Sequence, residues 1–581
     1  MKARHSLLFP LLALLLMVFS FNSDDEPLKK LLTQLDKFRT SYPQEKVHLH
    51  LDKPYYAIGD NIWFKAYVVN SEQHQLSNLS KILYVELINE KDSVKQSLAL
   101  PLEMGLAWGD FTLADTLREG NYRIRAYTTW MRNFGEEYFF DRNISIGNSI
   151  TNQVITDVKY KFSPEGNGQK VQADIRYTDL EGKPLANKEV NYNIQLDFRN
   201  IAKGKGTTND KGILQVTFIN NQPFILKSGK IFTSIKLDNT KVVSKTIPVK
   251  ATSNDVDVQF FPESGDLVQG IRSKVAFKAL GADGLGVKVT GFLTDSKNNK
   301  LVDFQSEHAG MGYFALMPEA GEKYTAHIRF EDGSEKTYDL PRTLLQGYVL
   351  SASNLDPNDL LIRIAASPAL TAGKEVTLMA QSNGVVKYIS KVKMDMPSLN
   401  AKIPKNRFPT GILQLTLFSP DEEPVAERLV FIQHPDSLSL NMNSEKTDFR
   451  KREKVKLSLN AKDLTGKPEV GSFSLSVIDE SKVPFNEADE TTIFSNLLLT
   501  SDLQGFIEQP NYYFSNINEN TIRQLDILML SQGWRRFTWK NIMAGSFHPL
   551  LFPPENNMHI SGRVLANNGK PVVGGKVTLF S

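Results

Sequence analysis

His48, His50 and Asp52 alternate along the run Val47-His48-Leu49-His50-Leu51-Asp52, so in a strand their side chains share one face. Two imidazoles and a carboxylate are donor types that hold zinc and similar divalent ions. A half-exposed strand at the edge of a sheet produces the same alternation, and imidazoles two residues apart on a strand seldom converge without a further ligand. These three residues are the only metal candidates, and no metal is expected on them.

Other chemistry finds no footing. The chain has no pair of histidines four apart, no Gly-x-Ser-x-Gly elbow and no phosphate loop ending in Gly-Lys-Ser/Thr. With no cysteine it has no thiolate nucleophile, thiolate metal site or disulfide, and no lipid-bearing cysteine. The acid pairs Asp24-Asp25, Glu422-Glu423 and Asp489-Glu490 sit in polar, turn-like stretches that read as solvated loops. No catalytic residue and no cofactor are expected, and the chain reads as a non-enzyme.

Charge excludes a further class. Lys and Arg number 68 against 65 Asp and Glu, which leaves no net field for nucleic acid or anionic lipid. The run Gly533-Trp534-Arg535-Arg536-Phe537-Thr538-Trp539-Lys540 mixes cations and aromatics but reads as a helix stop followed by a strand that buries Trp534 and Phe537. Lys203-Gly204-Lys205-Gly206 reads as a loop before a strand.

The elements that would position such residues are mostly strands. After basic Lys2 and Arg4, the apolar run Leu7 to Phe19 and the small Ser20 and Ser23 have the three-part pattern of a secretory signal. Leu28, Leu31, Leu32, Leu35 and Phe38 then follow helical spacing, ended by Pro43. Beyond, alternating runs of four to eight residues are punctuated by Gly, Asn, Asp and Pro.

Self-similarity sets the domain count. A turn followed by an alternating strand recurs with Ile62, Val171, Val275, Val376 and Val455 as anchors, at steps of roughly 100 residues, the length of one sandwich. Glycine-bearing corners recur at 179–184, 282–286, 463–468 and 568–571. A third repeated turn holds Gly212, Gly310 and Gly411. Tyr122 and Tyr324 stand at strand starts, where a buried ring whose hydroxyl reaches backbone is expected. From Glu487 to Met543 the period changes: Ile493, Leu497 and Leu498, then Ile522, Leu525, Leu528 and Met529, predict two short helices.

The stretch Glu45 to Ala66, with its core Asp52-Lys53-Pro54-Tyr55-Tyr56-Ala57-Ile58-Gly59, resembles the second macroglobulin-like domain of the alpha-2-macroglobulin family. Phe473 to Ser481 is similar to the strand and acidic turn of a later domain of that family. Ile560 to Val564 with Gly569-Lys570-Pro571-Val572 resembles the carboxypeptidase regulatory-like sandwich that precedes TonB-dependent outer-membrane receptors. The family's protease traps use a Cys-Gly-Glu-Gln thioester, which a chain without cysteine cannot form.

These readings predict an all-β fold of tandem immunoglobulin-like or macroglobulin-like sandwiches with a short N-terminal helix and a small helical insertion near 487–543. The expected divisions are a signal peptide 1–23, helix and linker 24–44, a first macroglobulin-like domain 45–148 and sandwiches 149–252, 253–345 and 346–436. A fifth sandwich with the insertion at 437–548 and the start of a carboxypeptidase regulatory-like sandwich at 558–581 would follow.

The resemblance implies a non-catalytic binding or scaffold segment at the front of an outer-membrane receptor-like protein, exported to the periplasm or outer membrane of a Gram-negative cell. Its partners would be envelope proteins, proteases or receptor subunits among them, with no nucleic acid and with membrane association only through domains beyond Ser581. The alternatives are a periplasmic endopeptidase inhibitor without thioester, whose bait would be 481–520, and a glycan-binding or adhesive module.

Overall fold

The computed structural model describes residues 26–147, 154–179, 182–196, 199–222, 226, 228–238, 241–250, 256–281, 284–331, 333–371, 373–479, 486–533, 537–557 and 562–578. The expected signal peptide, the run Trp534 to Arg536 and the first residues of the expected bait lie outside them. Among the described residues no helix is long and apolar enough to cross a membrane.

Helix α1 (Glu26–Ser41) presents Leu28, Leu31, Leu35 and Phe38 on its buried face, as their spacing requires. Among the described residues four β-sandwiches follow. In sandwich 1 the strands Glu45–Leu51, Asn61–Asn70 and Leu106–Thr112 form one sheet, with Asn61–Asn70 in the middle. The facing sheet runs Tyr55–Ala57, Phe140–Gly147, Gly120–Tyr127, Ile82–Asn89, Val94–Pro101 in spatial order. Along Asn61–Asn70, Ile62, Phe64, Ala66 and Val68 point into the core while Trp63, Lys65 and Tyr67 point out, the alternation of a half-buried strand.

Sandwiches 2, 3 and 4 repeat the plan: each packs a three-stranded sheet on a four-stranded one, and each has its own apolar core. The middle strands of the three-stranded sheets are Gly168–Thr178, Ser273–Leu280 and Asp359–Ala366. The repeated turns serve the same purpose in successive units. Gly212 and Gly310, at φ +72° and +70°, each accept a backbone hydrogen bond from the middle strand of their sandwich, from Tyr177 at 2.8 Å and Ala279 at 2.9 Å. The Tyr122 hydroxyl donates to the Arg118 carbonyl at 2.7 Å, and that of Tyr324 accepts from the Glu319 amide at 2.7 Å.

The anchors Ile62, Val171, Val275 and Val376 are fully buried, but Val455 is half exposed. That contrast marks a departure from the expected fifth sandwich. Among the described residues, 437–479 form a single antiparallel hairpin, Ser439–Ser444 with Leu457–Lys462, and Leu440, Met442 and Leu459 on its apolar face stay exposed. The alternation there is real, but among the described residues no second sheet faces it.

The helical residues predicted near 487–543 form α2 (Ile493–Ser495), continued as a π-helical turn Asn496–Thr500, then α3 (Tyr512–Ser515), α4 (Glu519–Ser531) and α5 (Trp539–Ala544). They pack against earlier sandwiches rather than a fifth. Leu499, Leu503, Ile507, Tyr513 and Leu528 share a core with Met311 of sandwich 3 and Ile412 and Phe431 of sandwich 4. α5 joins α1 over sandwich 4, where Trp539, Phe38 and Phe418 meet. The chain therefore curls back on itself, and sandwiches 1, 3 and 4 surround the helical segment.

Candidate functional site

Of the three metal candidates, His48 lies in a strand whose outer face is covered by the helical segment. Its Nδ1 is 3.1 Å from the Asn496 side-chain oxygen and its ring stands edge-on to Phe140. Burial outweighs that hydrogen bond and lowers its pKa to about 3, so the ring is neutral. His50 turns Nδ1 to the Ser474 hydroxyl at 2.7 Å, and burial lowers its pKa as well. Asp52 accepts from the Tyr56 hydroxyl at 2.7 Å and the Trp63 amide at 3.0 Å, closing the turn of the Asp52-Lys53-Pro54-Tyr55 motif. Each candidate is thus spent on a different protein partner, and no group of three or more His, Asp or Glu placed to hold a metal ion occurs among the described residues.

The residues before and after them build a junction. Glu45 is buried and accepts from the hydroxyls of Ser77 at 2.5 Å, Ser80 at 2.7 Å and Thr128 at 2.8 Å, so its carboxylate has donors for both oxygens. One position on, the Lys46 ammonium meets the Asp502 carboxylate and the Leu497 carbonyl, both at 2.7 Å, and lies 3.1 Å from His74 Nε2. The Lys46 and Asp502 side chains are 2% and 3% exposed. A buried ion pair is tolerated only when its remaining hydrogen-bonding capacity is used, as it is here.

A second charged cluster joins sandwich 3, sandwich 4 and α4. Arg428 donates from Nε to Glu263 at 3.0 Å and from Nη2 to Asp526 at 2.6 Å, and it also bonds the Leu429 carbonyl. Burial depresses the guanidinium pKa, but the two carboxylates outweigh it and the net shift is upward. The Ala352 amide reaches the same Glu263 oxygen at 3.3 Å. Carboxylates from two elements share one fork, so the three bodies are held in a single register.

No local pattern announces either cluster: Lys46, Glu263, Arg428, Asp502 and Asp526 stand far apart in sequence. A charge at an inward-facing strand position is the one signal that could have flagged Arg428, within the apolar run Leu429-Val430-Phe431. The expected bait stretch is also placed differently. From residue 486 onward it is folded, with Leu497, Leu499, Leu503, Ile507 and Tyr513 buried, and not laid open as a bait would be.

The sheets define a tandem β-sandwich protein, mostly strands with few helices. No family model and no curated protein matches the chain. Among solved structures it is similar to native alpha-2-macroglobulin of Escherichia coli, with 12% identity, 73% of this chain and 32% of that one covered, and a TM-score of 0.31. The trypsin-activated form of that protein gives 13% identity, 73% and 33% coverage and a TM-score of 0.33. A tetra-tandem repeat from the extending region of a large adhesion protein gives 9% identity, 67% and 100% coverage and a TM-score of 0.15. The chain spans about a third of the length of that macroglobulin in either form.

Proposed function

We propose that the chain is a non-catalytic, exported binding scaffold of macroglobulin type, the envelope-facing front part of an outer-membrane TonB-dependent receptor-like protein. The observation that carries the scaffold reading is the pair of buried junctions, Lys46 with Asp502 and Arg428 with Glu263 and Asp526. Charges are buried here to fix sandwiches against one another and against the helical segment, and the outer faces and loops are left for partners. The receptor part is supported by the resemblance of Ile560 to Val572 to the carboxypeptidase regulatory-like module.

Fractionation of the native host, with an epitope in the loop between Ser444 and Leu457, tests the placement. Recovery in the outer-membrane fraction is expected, and recovery in the cytoplasm would overturn the reading. Limited proteolysis followed by small-angle scattering tests the scaffold: nicking is expected to leave the radius of gyration unchanged. Collapse around a captured protease would instead identify an inhibitor.

A further inference from the structure

The outer face of the three-stranded sheet of sandwich 1 is covered in part. Asn496 to Asp502 lie over Lys46 and His48. The segment Ser472 to Ser474 crosses His50, Lys65 and Tyr67: Ser474 bonds His50 and Tyr67, at 2.7 and 2.9 Å, and the Lys65 ammonium donates to the Ser472 hydroxyl at 2.6 Å and the Phe473 carbonyl at 3.1 Å. Beyond this cover stand Trp63, 55% exposed, and Trp108, 64% exposed.

The register places these two indoles together. Trp63 pairs with Asp110 and Lys65 with Trp108, so the four side chains occupy the corners of one patch, with the tryptophans on a diagonal. Diagonal neighbours on one face are ~7–8 Å apart at the backbone, within reach of aromatic side chains. Neither indole is needed by the core, which Ile62, Phe64, Ala107 and Phe111 fill from the other side of the same strands.

We propose that this patch binds a neutral saccharide, its sugar rings stacked on Trp63 and Trp108 and its hydroxyls bonded to the Asp110 carboxylate and to the one Lys65 proton not held by Ser472 and Phe473. The chemistry of the corners selects that class. One cation and one anion cancel, so the patch has no net charge to draw phosphates. Flat aromatic surface with one donor and one acceptor matches a ring that has apolar C–H faces and a polar rim. The proposal deepens the binding reading above by naming a ligand class, and its test is separate from that of the scaffold.

Calorimetric titration of the whole chain with cellotetraose, chitotetraose, maltotetraose and mannotetraose, probes chosen for their different linkages, decides it. At least one should bind, and Trp63→Ala and Trp108→Ala should each weaken it by about tenfold or more, the order expected for loss of one stacking platform. Asp110→Asn should weaken the same sugar while all three variants keep the parent melting temperature. Absence of binding for all four sugars overturns the proposal, as does binding that both tryptophan variants retain. Selection of an extended peptide whose binding needs the two tryptophans would reassign the patch to a protein partner. A chain that is found in the outer membrane and keeps its shape, yet binds none of the sugars, loses this inference alone.

Discussion

The Lys46 ammonium and the Asp502 carboxylate meet at 2.7 Å with both side chains out of water, although 456 residues separate them. This contact ties the first strand of sandwich 1 to the end of the π-helical turn, and it explains why a chain of successive sandwiches closes on itself. Lys46→Ala removes the ammonium that pairs with the buried Asp502 carboxylate, which is expected to cost about 3–5 kcal/mol. Hydrogen exchange across 497–503 should accelerate in this variant while sandwich 2, which lies outside the junction, keeps its protection. The double variant Lys46→Met, Asp502→Leu should recover most of the loss, because it removes both charges and keeps volume.

Arg428 stands between two carboxylates, and the consequence differs from that of a simple pair. Arg428→Met removes the only cation within hydrogen-bond reach of Glu263 among the described residues and leaves Asp526 with Lys274 at 3.4 Å. A buried carboxylate that loses its cation in this way is expected to cost about 3–5 kcal/mol. Denaturant midpoints measured for parent and variant at neutral pH check this. A variant as stable as the parent would refute the assignment.

His48 predicts an acid response for the parent chain. Its pKa in the fold is about 3, against 6.5 in open chain, so between those values the unfolded chain binds the proton and the folded chain does not. Stability is therefore fully present above about pH 6.5 and falls as pH drops toward 3. At pH 5 the expected loss from this one residue is about 2 kcal/mol, from a titration slope of ~1.4 kcal/mol per pH unit. His50 and His308, also lowered by burial, add in the same direction. Replacing His48 with Gln, which can keep the bond to Asn496 without titrating, should flatten the acid limb in denaturant unfolding.

What could be read from the residues alone follows the range over which each signal acts. Alternation and turn glycines act over a few residues, so Ile62, Val171, Val275 and Val376 mark real cores and Gly212 and Gly310 mark real turns. The same local rule fails at Val455 and over Phe473 to Val477, because alternation shows that a strand has an apolar side but not that a second sheet covers it. Trp63 likewise reads as one outward residue in an alternating strand; only the pairing of Asn61–Asn70 with Leu106–Thr112 brings Trp108 beside it. His48 was legible as an outward strand residue, whereas its burial depends on Asn496, far along the chain. The charged junctions were illegible for the same reason, since an ion pair leaves no periodicity in either partner's neighbourhood.

Gly310 and Gly182 separate the two requirements a turn can place on glycine. Both have positive φ, +70° and +79°, where a side chain costs roughly 1–2 kcal/mol. A Cβ at Gly182 would meet nothing within 4 Å, but at Gly310 it would stand 2.2 Å from the Ala279 carbonyl oxygen, 2.8 Å from the Val287 nitrogen and 2.9 Å from the Gly286 Cα. All three obstacles are backbone of the sheet and its corner, so none can swing aside as a side-chain end would. Gly182→Ala should therefore lose only the conformational term, about 1 kcal/mol, while Gly310→Ala should lose at least ~2 kcal/mol more. Gly212→Ala, whose Cβ would lie 2.4 Å from the Tyr177 carbonyl oxygen, should behave like Gly310→Ala. Equal losses for Gly182→Ala and Gly310→Ala in denaturant unfolding would show that the repeated turn selects glycine for its backbone angle alone and not for the close approach of the middle strand.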